Sequence, residues 1–189
     1  FQILLSYSIV KNNNMVNKED NIPLKYIPKY LSKKDRKKQK KNIEKSITSY
    51  KKKVYLERPK LDSYSHKSSK HLEKVKEIYG VDPLIVNNSL AKKTGCSIEG
   101  LEKIKNKGRG AYYSSGSRPN QTAESWAVPR LASAITGGPS STFDYHILDE
   151  HCKKDSKALK LAKKTCKKMN KCKKDLQKPK KKRTRKNKK

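Results

Sequence analysis

Apolar residues are sparse along this chain, and where they recur they do so at helical spacing. Leu72, Val75, Ile78 and Tyr79 follow one another at intervals of three and four or lie side by side, which gathers them on one face of an α-helix. This predicts a helix over 69–79, ended by Gly80, since glycine readily takes the left-handed conformation after a last helical turn. Ile43, Ile47 and Tyr50 predict the second half of a lysine-rich helix over 33–50. Ser32 and Asp35 give it a start like a capping box, with Asp in place of the usual Glu. Before Ile43 the face is almost all charge, so the first half needs a partner to be stable. Residues 22–31, IPLKYIPKYL, contain two prolines and alternate apolar with basic. They read as an extended arm that docks through Ile22, Tyr26, Ile27 and Tyr30. Residues 56–70 read as a linker.

The stretch from 81 to 151 is punctuated more richly. Asp82-Pro83 fits an N-cap followed by proline at the first helical position, and Asn88 or Ser89 can cap the next short helix. In NSLAKKTGCSIEGLEKIKNKG two helices are broken at Thr94-Gly95-Cys96, with Ser97 capping the second and Gly108 ending it. Residues 109–121, RGAYYSSGSRPNQ, read as a Gly/Ser/Pro loop. Thr122 can cap a helix to about Thr136, stopped by Gly137-Gly138. Pro129 then requires a late start, because an interior proline removes a hydrogen bond and clashes with the preceding turn. Ser140, Ser141 or Thr142 can cap a last helix through 144–151. Beyond Cys152, lysine pairs alternate with single small residues. Leu159, Ala162, Cys166 and Met169 approximate a stripe, so a helix can form there, and PKKKRTRKNKK after it is a disordered cationic tail.

The fold class is therefore all-α. A small helical core at 69–151 carries a helix-turn-helix-like pair, with a basic N-terminal arm and helix at 15–68 and a cationic tail at 152–189. Residues 1–14 hold an apolar stretch too short to span a bilayer. It lacks the basic flank and cleavage site of a signal peptide. Met15 opens a natural-looking start, so 1–14 read as a non-native upstream extension.

Charge sharpens this division. The chain of 189 residues has 49 basic and 17 acidic side chains, a formal net charge of +32, and 32% hydrophobic residues. Too little apolar area is present to order every residue into one compact domain. Residues 81–150 are nearly neutral, with 8 basic and 7 acidic side chains, so the flanks hold the charge. A polycation needs a polyanionic partner. Nucleic acid fits best, since each neutralised phosphate releases a condensed counterion. A membrane surface fits less well, because no apolar face accompanies the lysines. Cys96, Cys152, Cys166 and Cys172, without a secretory signal, read as reduced thiols in an intracellular setting.

Two motifs suggest finer contacts. Ala91, Gly95 and Leu101 have the spacing of a helix-turn-helix, which would lay residues 98–107 in a major groove with Lys103 and Lys107 near phosphate. Any two short helices joined by a Gly turn show the same pattern, and Glu99 and Glu102 on the second helix oppose phosphate. In the 109–121 stretch a chain that otherwise favours lysine places Arg109 and Arg118, with Arg130 soon after. Arginine suits bidentate and stacked contacts, Tyr112 and Tyr113 offer stacking faces, and Asn120 can join them. The alternative is that these arginines bond to backbone carbonyls and stabilise an irregular loop. In the tail, Lys181, Lys182, Arg183 and Arg185 suit phosphate binding or a nuclear address.

Catalysis is poorly supported. Ser114, Ser115 and Ser117 lie in a Gly-rich stretch with His146 and His151 downstream, but no nucleophile elbow is present. Asp144 and Asp149 would stand about 140° apart on a helix. No paired cysteine spacing supports zinc. Trp126, Leu131 and Ile135 read as core.

Across 92–146 the string contains Thr94-Gly95, Arg109-Gly110-Ala111-Tyr112, Gly116-Ser117-Arg118-Pro119, Ser125-Trp126, Arg130-Leu131-Ala132-Ser133 and Thr136-Gly137-Gly138. Together these elements resemble an uncharacterised domain of large DNA viruses and tailed phages. The resemblance implies a viral origin and no particular chemistry. Pro129 departs from its pattern. The resulting expectation is a non-enzymatic viral DNA-binding protein, with DNA favoured over RNA, no cofactor, no metal and no membrane contact. It would be located in the virion, host nucleus or viral factory. A minor capsid protein contacting other virion proteins, and a nucleic-acid-processing enzyme, are the alternatives.

Overall fold

The computed structural model describes residues 22–65 and 69–172, so the arm before Ile22 and the tail candidates Lys181, Lys182, Arg183 and Arg185 lie outside the described residues. Regular structure among the described residues is helical. One 3-10 turn at Leu24–Tyr26 precedes α1 (Lys33–Tyr50), α2 (Lys70–Tyr79), α3 (Asn88–Thr94), α4 (Ile98–Ser115), α5 (Ala123–Ile135), α6 (Ser140–Phe143), α7 (Tyr145–His151) and α8 (Lys157–Lys168). The chain divides into two units inside α4. Among the described residues, unit 1 takes 22–65 with Ala111–Thr122, and unit 2 takes 69–110 with 123–172.

In unit 1, α1 starts where the sequence predicts. The Ser32 hydroxyl accepts the Asp35 N–H at 3.1 Å. The Asp35 carboxylate is held chiefly by Ser63, with a smaller contribution from the Ser32 side chain. It accepts the Ser63 hydroxyl at 2.6 Å, and Ser63 Oγ in turn accepts the Ser32 N–H at 3.2 Å. The partner needed by the charged half of α1 is found at Gln39. Its fully buried amide donates to the carbonyls of Tyr26 and Ser117 at 3.3 and 3.2 Å. Gln39, Ile43 and Ser46 form the buried face, and Ile43 packs with Ile22 and Ile27. Gly116 sits against it at φ +84, and a Cβ there would lie 2.9 Å from Ile43 Cγ2, so only glycine fits. Residues 22–65 thus fold with Ala111–Thr122 around a shared core rather than forming an arm and a linker.

Unit 2 is an apolar helical cluster. Val75 and Tyr79 of α2 pack with Leu90, Leu101, Leu131, Ile135, Leu148 and Leu159 from the following helices. Gly80 ends α2 at φ +61 as expected, whereas Leu72 is exposed. No helix begins at Pro83, and Asp82 pairs with Lys76 at 3.3 Å. The cap of α3 is Asn87, one residue before the candidates, with its Oδ1 accepting the Leu90 N–H at 2.9 Å. Gly95, at φ +71, turns the chain toward α4, which Ser97 caps.

Three corrections concern helix length. α4 does not end at Gly108 but continues to Ser115, so the expected loop shrinks to residues 116–122. A Cβ at Gly108 would lie 2.6 Å from Ala127 Cα. Close approach of α5, rather than helix termination, explains that glycine. α5 does not start late, so Pro129 is interior. Burial of Ala127, Leu131, Ala132, Ala134 and Ile135 offsets the roughly 3 kcal/mol proline penalty. Third, the core does not stop at His151. α8 buries Ala158, Leu159, Ala162 and Cys166, a narrow stripe of mostly small residues between lysines. The reduced-thiol expectation also fails, since Cys96 is disulfide-bonded to Cys152 and Cys166 to Cys172.

Candidate nucleic-acid interface

The arginines singled out in the sequence are largely engaged within the protein. Arg109 donates to Glu124 from Nε at 2.8 Å and lies 2.7 Å from it through a terminal nitrogen, while its other terminal nitrogen donates to Asn106 at 2.6 Å. Arg130 forms a two-pronged pair with Asp144, Nε to Oδ2 at 2.9 Å and a terminal nitrogen to Oδ1 at 2.8 Å. Asp144 is fully buried, and Lys107 reaches the same Oδ1 at 2.9 Å. Lys103 pairs with Glu99 at 2.8 Å and touches His151 Nε2 at 2.9 Å. Burial raises the Glu124 carboxyl, but hydrogen bonds from Lys105 and Arg109 outweigh it and hold the group below its ordinary value. These side chains stabilise unit 2 before any ligand arrives.

The tyrosine pair is also redirected. Tyr112 is fully buried. Its hydroxyl accepts the Arg58 N–H at 2.8 Å and faces Glu57 Oε2 at 2.9 Å and the Gln121 carbonyl at 3.0 Å. The Arg58 guanidinium lies 4.5 Å from the centre of the Tyr112 ring, donates to the Tyr112 carbonyl, and reaches Asn42 Oδ1 at 2.9 Å and Ser117 Oγ at 3.2 Å. Burial, reinforced by Glu57, pushes the Tyr112 hydroxyl above its ordinary value, so it stays a donor. Tyr113 donates to Glu57 Oε1 at 2.9 Å but remains partly exposed. Asn120 pairs with the Leu61 backbone in both directions, at 2.7 and 2.9 Å. Of the candidates in this stretch, Arg118 is the exposed cation.

Sequence reasoning missed Arg58, which it left in a linker, because nothing in its neighbours marks burial. The lysine-rich character of α1 is legible in the sequence, whereas the lysines of α8 read there as part of a tail. On α8, Lys160, Lys164, Lys167 and Lys168 are exposed and Lys163 half-exposed, opposite the buried stripe, and the helix contains no carboxylate. On α1, Lys33, Lys34, Arg36, Lys37, Lys38, Lys41 and Lys45 are exposed. Among the described residues, no group of three or more His, Cys, Asp or Glu could hold a metal ion, and no helix is long and apolar enough to cross a membrane.

Residues 23–143, well over half of the chain, match the model of a family of unknown function, DUF5824. The chain belongs to DUF5824. No curated protein and no solved structure matches it. The DUF5824 span reaches far below residue 92 and takes in α1 and Arg58. α7 and α8 follow the matched span, so the lysine face of α8 lies outside the part of this chain that the DUF5824 model describes.

Proposed function

We propose that this DUF5824 protein is a virus-encoded, non-enzymatic nucleic-acid-binding protein that grips phosphate through lysine faces. The carrying observation is α8. One side is packed into the core, and the other presents Lys160, Lys163, Lys164, Lys167 and Lys168 with no acid on the helix. Rigid attachment lowers the entropic cost of aligning these cations with phosphates, and lysine as a point charge imposes no base preference. Arg109 and Arg130, already paired with carboxylates, serve the fold. The viral assignment rests on the string across 92–146, which resembles a domain of large DNA viruses and tailed phages. Residence with the viral genome follows from both.

Duplex-DNA binding by the full chain over a salt series tests this reading. Lys160→Gln, Lys164→Gln and Lys167→Gln together should flatten the log–log salt slope by roughly 0.9 per lysine while circular dichroism stays unchanged. An unchanged slope removes α8 from the interface. Salt-independent affinity, or turnover of the DNA, overturns phosphate gripping as the function.

A further inference from the structure

Unit 1 exposes an aromatic surface that the lysine-face reading does not use. α1 ends at Tyr50, and the next three residues, Lys51, Lys52 and Lys53, form an exposed turn. The turn is held by Lys52 N–H and Val54 N–H to the Ser49 carbonyl, at 2.9 and 3.0 Å, and by Lys53 N–H to the Tyr50 carbonyl at 2.9 Å. It delivers Tyr55 to the surface, 58% exposed, beside Val54 at 49%. The Tyr55 ring stands 5.0 Å from Tyr113 and 5.9 Å from Tyr50, centre to centre. The row is anchored from beneath. Tyr113 stands edge-on to buried Tyr112 at 4.8 Å, and Glu57 binds both hydroxyls. Ser46 also donates to the Tyr113 carbonyl at 3.0 Å.

We propose that Tyr55, flanked by Tyr50 and Tyr113 and by the Lys51–Lys53 turn, is a stacking site for unpaired bases of single-stranded nucleic acid. The inference rests on the nucleic-acid-binding reading and narrows it. An exposed ring on a rigid support loses little freedom when a base covers it. Base faces are available only where the strand is unpaired, because a duplex stacks them on each other. Three consecutive lysines beside the ring supply the charge that follows the backbone. The nearby carboxylate, Glu57, is occupied by the two tyrosine hydroxyls. Stacking tolerates any base, so this site selects strandedness rather than sequence.

The experiment uses the full-length protein with an oligothymidylate, an abasic oligomer of equal length, and duplex DNA. Tyr55→Ala should weaken oligothymidylate binding roughly tenfold and leave duplex affinity unchanged, with Tyr55→Phe close to the parent. The parent should prefer oligothymidylate to the abasic strand, a comparison that needs no variant to fold. Equal affinity for those two strands, or equal loss of single-strand and duplex binding in Tyr55→Ala, overturns the stacking site. Retained duplex binding would still leave the lysine-face reading standing, whereas loss of all binding by the parent protein would remove both.

Discussion

Unit 2 clusters nineteen buried residues, from Val75 to Cys166, into one apolar core, whereas the corresponding cluster of unit 1 consists of Ile22, Ile27 and Ile43. What unit 1 has instead is a buried polar junction. Arg58, 8% exposed, ties Asn42, Tyr112 and Ser117 together, Gln39 bonds to two carbonyls, and Asn120 pairs with Leu61. The contrast is between contacts with no required direction and contacts that fail when geometry is lost. A hydrophobic face tolerates small rearrangements. A buried hydrogen-bond network leaves uncompensated donors and acceptors when one member goes. All four cysteines fall in unit 2, so covalent reinforcement also lies on that side.

The largest effect expected is on unit 2. Removing the Cys96–Cys152 bridge, which spans 56 residues, by double substitution to serine should cost up to about 4 kcal/mol on loop-closure entropy. Hydrogen exchange should rise across α5 and α8. Comparable loss of protection in α1 would break the contrast. Next, Arg58→Ala should cost about 3 kcal/mol, through unsatisfied carbonyl and side-chain partners, with protection lost in α1. Arg58→Lys should recover only part of it, because an ammonium cannot match the planar fork. Full rescue by lysine would show that charge, not geometry, holds unit 1. The smallest effect is at the surface. With its folded value depressed, Glu124 contributes stability that is present above its ordinary value of 4.5 and lost as pH falls through the lower folded value. Acid titration of stability should show this component in the parent and not in Glu124→Gln. Identical acid limbs would assign Lys105 and Arg109 no role in it.

Legibility in the sequence followed the same division. α2, α3 and α5 were readable because unit 2 is built on apolar periodicity with caps and glycines at their ends. α4 was cut short at Gly108 because a glycine before a Gly/Ser-rich stretch resembles a stop. Only the approach of Ala127 reveals that it makes room. α8 reads in the sequence as a helix within a tail, since Ala158, Ala162 and Cys166 are too small to stand out among lysines. Unit 1 was the least legible part. Its core depends on side chains brought together across more than fifty residues, and no local period records that Arg58 meets Tyr112. The candidate site suffered accordingly. The sequence leaves open whether its arginines meet a ligand or hold the fold and does not show which carboxylates they reach, and Tyr55 lies in a segment of no evident period.

The discontinuous make-up of unit 1 has a consequence during translation. Arg58 reaches Ser117 across 59 residues. At about 5–20 residues per second, the ribosome supplies that partner roughly 3–12 s after Arg58 is made. During that interval a lysine-dense nascent segment emerges beside ribosomal RNA with half of its junction still unsynthesised. Production of this protein is therefore expected to be sensitive to elongation speed between codons 58 and 120, even where the encoded residues are unchanged.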